Sequence, residues 1–229
     1  MAQLGIASRR ESERMILAGR VLVNGQVVTV MGTQVSRSDV ISVDGKTVSS
    51  LKHPWVYKLH KPAGYVTARM DPQGRPTVYD LLPDNVPFMA HVGRLDYNTE
   101  GLLLLTTDGE LAAALLNPGS RVPRVYVVKV QGVVSRDNIK KIEGGISLDG
   151  RPTERVVVER LPSQSRHDWL RLTLFEGRNR HVRRIFESVG HHVQRLIRTD
   201  FGSITVDDLA PMQGRRLKPD EIRDLRALI

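Results

Sequence analysis

Along the first fifty residues, polar and apolar positions predict one helix and two tight hairpins. Ser8-Arg9-Arg10-Glu11 fits a capping box, with Ser8 opening the helix and Glu11 reaching back. The helix continues through Met15, Ile16 and Ala18, and Gly19 suits its C-terminal stop. Val21 and Val23, then Val27 and Val28, flank Asn24-Gly25, a strong hairpin signal. Val40 to Val43 followed by Asp44-Gly45 reads as another strand and turn. Residues 1–50 therefore form a small module, and residues 51–54, ending in Pro54, form a linker.

From Trp55 the pattern becomes many short strands with a few helices, giving a second unit over residues 55–229. Strands are predicted at Val56–Leu59, Leu102–Thr106, Val125–Val130, Arg155–Glu159 and Leu170–Leu174. The last alternates cleanly, with Leu170, Leu172 and Leu174 on one face. The run Leu102 to Leu105 is short and continuous, as in a strand buried on both sides. Helices are predicted at Glu110–Leu116, Ser135–Ile142, Asn179–Val189 and Pro219–Leu228. Ser135 can cap the second of these, and Pro219 suits the start of the last. Strands outnumber helices without alternating with them, which favours an α+β fold on a mostly antiparallel sheet.

Charge narrows the partner. Among 229 residues, 34 are Lys or Arg and 25 are Asp or Glu, a formal net charge of +9. Such an excess favours a polyanion, most commonly nucleic acid. There is no cysteine, so disulfides and thiolate nucleophiles are excluded. No apolar run approaches the roughly 18 residues of a membrane span, and the N-terminal segment reaches Arg9 and Arg10 without a signal-like core. A soluble cytoplasmic protein is expected.

Two stretches can carry chemistry. Gly93-Arg94-Leu95-Asp96-Tyr97-Asn98-Thr99-Glu100-Gly101 places Asp96 in a loop leading into the leucine strand. A loop anchored on a rigid strand can fix a carboxylate, although an aspartate there can also merely order a turn. Asp108-Gly109 is taken as a turn. Glu176 to Arg198 holds six arginines and two glutamates. On a helix, Arg180, Arg183 and Arg184 fall on neighbouring faces while Val182, Ile185 and Phe186 face the core. One arginine can pair with a buried aspartate and the others can hold a phosphate backbone, or the helix is simply a solvated basic one. The same two options apply to Arg9, Arg10, Arg14 and Arg20. The histidines His181, His191 and His192 match no metal-ligand spacing and are expected to be solvated or in contact with RNA.

These residues resemble the pseudouridine synthases. Gly93-Arg94-Leu95-Asp96 with Thr99, Gly101-Leu102-Leu103 and Thr106 is similar to that family's central motif. The long form of the motif resembles the branch that modifies ribosomal RNA. Lys61-Pro62-Ala63-Gly64 resembles the branch's first motif, and Glu176 through Arg184 its third. Ser8–Gly25 is similar to the α-L RNA-binding module of a ribosomal protein. Such modules carry an earlier helix, which is expected to be clipped here because the chain begins at Met1-Ala2-Gln3-Leu4.

The resemblance implies a mixed, mostly antiparallel catalytic sheet behind the RNA-binding module. It implies Asp96 as the essential aspartate and Tyr126 as a platform stacking on the target base. Arg183 matches the basic residue that pairs with the aspartate, with Arg184 the next best match. Leu196 or Ile197 supplies an apolar wall beneath the base. Arg94 helps extrude the nucleotide or binds its phosphate, and Arg178, Arg180 and Arg184 join Arg9, Arg10, Arg14 and Arg20 as RNA contacts. The isomerisation involves no redox change or hydrolysis, so neither cofactor nor metal is implied. The partner is ribosomal RNA, and Thr106 to Ala112 looks closer to the large-subunit enzymes than to the small-subunit ones. A monomer is the simplest assembly. Two alternatives remain: a non-catalytic ribosome-assembly protein, and a glycosidic hydrolase. The hydrolase needs a second carboxylate with Asp96, and none is evident in the sequence.

Overall fold

The computed structural model describes residues 1–36, 38–48 and 54–229. After a single 3-10 turn at Ala2–Leu4 come helix α1 (Arg9–Leu17) and strands β1 (Val21–Val23), β2 (Gln26–Val27), β3 (Ile41–Val43) and β4 (Lys46–Thr47). The strands form an antiparallel sheet in the order β2-β1-β3-β4. Ser8 caps α1 by accepting the Glu11 amide at 3.1 Å. Glu11 does not reach back as the capping box requires; its carboxylate instead lies 3.4 Å from Arg14, one turn on. In Asn24-Gly25 and Asp44-Gly45 both residues have positive φ, the type I′ geometry whose twist suits a two-residue hairpin. Of the linker residues 51–54, only Pro54 lies within the described residues.

The larger unit begins with β5 (Val56–Lys61), β6 (Ala90–Val92), β7 (Thr99–Thr106), α2 (Gly109–Leu116) and β8 (Arg124–Val130). It continues with α3 (Arg136–Gly144), the small hairpin β9 (Ser147–Leu148) and β10 (Arg151–Pro152), β11 (Val157–Leu161), β12 (Trp169–Leu174) and α4 (His181–Ser188). The chain closes through β13 (Val193–Phe201), β14 (Ile204–Thr205), β15 (Gly214–Arg216) and α5 (Pro219–Arg226). The main sheet runs β11-β12-β8-β13-β7-β5-β15, with β14 paired to β13 and β6 to β7. The β7–β13 pair is parallel and its other pairs are antiparallel.

That parallel junction sits mid-sheet and is held by packing on both sides of β7. Leu102 and Leu104 join Leu111, Leu115 and Leu225 beneath α2 and α5. Leu103 and Leu105 point the other way, onto Val78, Met89 and Leu95. All four leucines are fully buried, and each such side chain contributes about 1.5–3 kcal/mol. A third cluster seats Val182, Ile185 and Phe186 of α4 against Val128, Leu172 and Leu196. Together these clusters hold the two ends of β7 and β13 where the Asp96 loop enters. Among the described residues, no helix is long and apolar enough to cross a membrane.

Candidate active site

The loop carrying Asp96 is braced from several directions. The Asp96 carbonyl accepts the Thr99 amide at 3.0 Å, closing a short turn into β7. Lys61, at the end of β5, is fully buried and donates to the carbonyls of Pro62, Thr99 and Tyr97 at 2.9, 2.7 and 3.2 Å. Those contacts use all three ammonium hydrogens. Burial pushes Lys61 down to about 8, and the charges of Asp96 and Glu100 oppose that shift. The Thr67 hydroxyl donates to the Leu95 carbonyl at 2.8 Å, and the Gly64 amide to the Tyr97 carbonyl at 2.9 Å.

Asp96 lines a cleft of about 300 Å³ together with Arg94, Tyr126, His181, Leu196 and Arg198. Strand register explains the grouping. Tyr126 on β8 lies opposite Arg198 on β13, and Leu196 opposite Val128. Leu196 and Arg198, two residues apart, share the face that meets the cleft. Ile197 alternates to the other face and does not line it, so of the two apolar candidates only Leu196 is brought to the site.

Asp96 is half-buried, and its carboxylate engages in no ion pair or hydrogen bond among the described residues. A second carboxylate, Glu176, also lines the cleft, which the sequence alone did not reveal. It is committed elsewhere: its oxygens accept the Glu154 amide at 2.9 Å and Nε of Arg178 at 3.0 Å. Asp96 is thus the cleft carboxylate free to act on a ligand.

The arginines divide into three groups. Arg183 is buried but does not pair directly with Asp96. Its Nη1 and Nη2 donate to the carbonyls of Val193 and Asn98 at 3.1 and 3.2 Å, which spends the guanidinium on bracing the Asp96 loop. Burial lowers its pKa, with the charge of Asp96 opposing. Arg20 is held by both oxygens of Asp44, Arg178 by Glu176 and two carbonyls, and Arg184 by Asp149. Arg14 and Arg180 make looser pairs, with Glu11 and Glu187. Arg9, Arg10 and Arg94 are exposed and engage in no ion pair among the described residues. Arg94, Arg178 and Arg180 line the cleft, whereas Arg183 and Arg184 do not.

Four site residues escaped the sequence. Lys61 acts through the loop it braces. His181, expected to be solvated or in contact with RNA, is not solvated: it is 7% exposed, lines the cleft and lies 3.5 Å from Glu176. Burial depresses its pKa despite that carboxylate. Arg124 and Arg198 are both buried, and their guanidiniums lie 5.0 and 5.2 Å from the centre of the Phe201 ring. A lone arginine in a strand carries no sequence signal of burial; only the register of β8 with β13 places these two at the cleft.

Residues 56–188 match the family model described as RNA pseudouridylate synthase, and residues 1–41 match the S4 domain. The chain is 40% identical to ribosomal large subunit pseudouridine synthase B of Bacillus subtilis (strain 168), over 100% of this chain and 94% of that protein. It is 42% identical to an uncharacterized RNA pseudouridine synthase of Mycobacterium tuberculosis (strain ATCC 25618 / H37Rv), over 98% of this chain and 90% of that one. Among solved structures, a pseudouridylate synthase superposes with a TM-score of 0.70 at 27% identity, covering 97% of this chain and 95% of the other. The chain belongs to the RNA pseudouridylate synthase family, with an S4 domain at its N-terminus.

Proposed function

We propose that this chain isomerises a uridine of large-subunit ribosomal RNA to pseudouridine, with Asp96 acting on the sugar. The observation that carries the assignment is Asp96 itself, an unpaired carboxylate on a braced loop, lining the same cleft as Tyr126. The glycosidic bond between N1 and the anomeric carbon breaks, and its electron pair leaves with the base. Asp96 serves as nucleophile toward that carbon or as base toward its neighbour. The base turns, carbon five bonds the anomeric carbon, carbon five loses its proton, and N1 gains one. Tyr126 stacks on the flipped base and Leu196 walls it. Arg183 holds the Asp96 loop in place through Asn98.

In this reading the S4-type module over residues 1–50 grips RNA through Arg9 and Arg10, and residues 55–229 carry the chemistry. Arg94 and Arg180 meet the phosphates at the cleft mouth. The protein acts as a monomer on ribosomal RNA in the cytoplasm. The large-subunit choice draws support from the full-length similarity to the Bacillus protein.

The test is to delete the gene in its host and map pseudouridine across both ribosomal RNAs by carbodiimide-dependent reverse-transcription stops. One large-subunit stop should vanish and return with the wild-type gene. Loss of a small-subunit stop would retain the chemistry and overturn the subunit. No change in either RNA would overturn the ribosomal assignment.

A further inference from the structure

Buried polar atoms without a hydrogen-bond partner are scarce in folded proteins, so their location is informative. Here they concentrate at the cleft: Thr99 Oγ1, both ring nitrogens of His181 and Nη2 of Arg198 all belong to cleft-lining residues. Arg198 stands out because it is charged. It is 2% exposed, its Nε donates to the Leu102 carbonyl at 2.8 Å, and no ion pair engages it among the described residues. Arg124, whose guanidinium shares the Phe201 ring with it, directs its Nη1 and Nη2 to the carbonyls of Val122, Phe175 and Leu115. A buried cation with an idle donor is costly, and such a cost persists where a ligand completes the site.

The position indicates which ligand. Arg198 lies directly opposite Tyr126 across the β8–β13 pair and shares its face with Leu196. A planar ring stacked on Tyr126 and backed by Leu196 would present its edge to Arg198. Phosphates are served by exposed arginines at the mouth, not by a cation this deep.

Resting on the uridine chemistry proposed above, we propose that Arg198 binds the uracil ring through a carbonyl oxygen and stabilises the negative charge the base acquires when it leaves the sugar. When the N1–C1′ bond breaks heterolytically, the electron pair spreads from N1 onto the ring oxygens. A preplaced guanidinium meets that charge without reorganisation, which is the arrangement that lowers a barrier most. It also retains the detached base while it turns.

The test compares single-turnover rates on two ribosomal RNA substrates, one with uridine and one with 5-fluorouridine at the target. Fluorine withdraws charge from the departing base and so replaces part of what the arginine supplies. Arg198→Met should slow glycosidic cleavage of the uridine substrate by about 100-fold, and Arg198→Lys by about 10-fold. On the fluorinated substrate each deficit should shrink by about fivefold or more, with RNA affinity unchanged within about threefold. Equal slowing on both substrates would overturn the proposal in favour of a structural role. A weakened affinity with an intact rate would overturn it in favour of a phosphate contact. Should Arg198→Met not fold, the lysine variant makes the same comparison. A wild-type protein inactive on both substrates would instead defeat the uridine chemistry itself.

Discussion

Lys61 shows how one side chain can set the precision of a loop it never leaves. Two of its three contacts to main-chain carbonyls, to Tyr97 and Thr99, tie the end of β5 to the turn that follows Asp96, and the third closes on its own neighbour Pro62. Because burial holds it near 8 against 10.5 for an ordinary lysine, it loses its proton within an accessible range. Between those two values the unfolded chain binds more protons than the fold, so this group's contribution to stability rises with pH. Loop order moves the other way, because the neutral amine has only two hydrogens for three carbonyls. Turnover should therefore fall as pH rises through about 8 while the melting temperature does not fall with it. A rate profile flat from pH 7 to about 9 would remove Lys61 from the positioning of Asp96. The role of Lys61 was not legible from its motif alone, since nothing in a Lys-Pro pair announces complete burial. Asp96 was legible because a long motif surrounds it. Its freedom from partners was not, and neither was the diversion of Arg183 to the Asn98 carbonyl.

At the scale of elements, the parallel contact of β7 with β13 is the joint on which the site depends. Gly101 has φ +103, and a Cβ there would stand 2.1 Å from the carbonyl oxygen of Arg198. Gly101→Ala should destabilise the protein by about 3 kcal/mol or more, read by denaturant unfolding, because strain and overpacking act together. A loss below about 1 kcal/mol would mean the two strands can part cheaply. A second joint stitches β5, β15 and α5. Lys58 and Arg215 meet Asp208, and Arg215 also meets Glu221. Asp208, through Lys58 first, and Glu221, through Arg215 first, are both held down to about 2. Carboxylates depressed in the fold add stability that is complete above their unfolded values of 3.8 and 4.5 and disappears as pH falls toward 2. Urea midpoints should drop across that window, and Asp208→Asn with Glu221→Gln should flatten the drop.

The leucine strand, the type I′ hairpins and the helix starts at Ser8 and Ser135 were readable because local chemistry decides them, whereas Asp108, taken as a turn, caps α2 by accepting the Glu110 and Leu111 amides. β13 was not readable. Arg195 and Arg198 interrupt its apolar pattern, and it becomes a strand by pairing along β8 and β7, where Glu100 and the Leu102 carbonyl receive those arginines. The two-residue strands and β6 are too short to leave a periodic signal.

For the whole molecule, a formal charge of +9 matters less than where its unpaired share lies. Arg9, Arg10 and Arg94 are the exposed arginines of the proposed RNA face that no carboxylate claims among the described residues. With Arg180 at the cleft mouth these make four phosphate contacts, so log affinity for RNA should fall against log salt with a slope of about −3 to −3.5. Replacing Arg9 and Arg10 with glutamine should reduce that slope by about 1.5, and an unchanged slope would take α1 off the RNA surface. Whether Asp96 drives an isomerisation of uridine is read from ribosomal RNA carrying tritium at carbon five of its uridines. Wild-type protein should release tritium to water without releasing free uracil. Asp96→Asn, folded to the same melting temperature, should be slower by at least about 10,000-fold. Free uracil in place of tritium release, or an Asp96→Asn variant that works at the wild-type rate, would contradict the assignment.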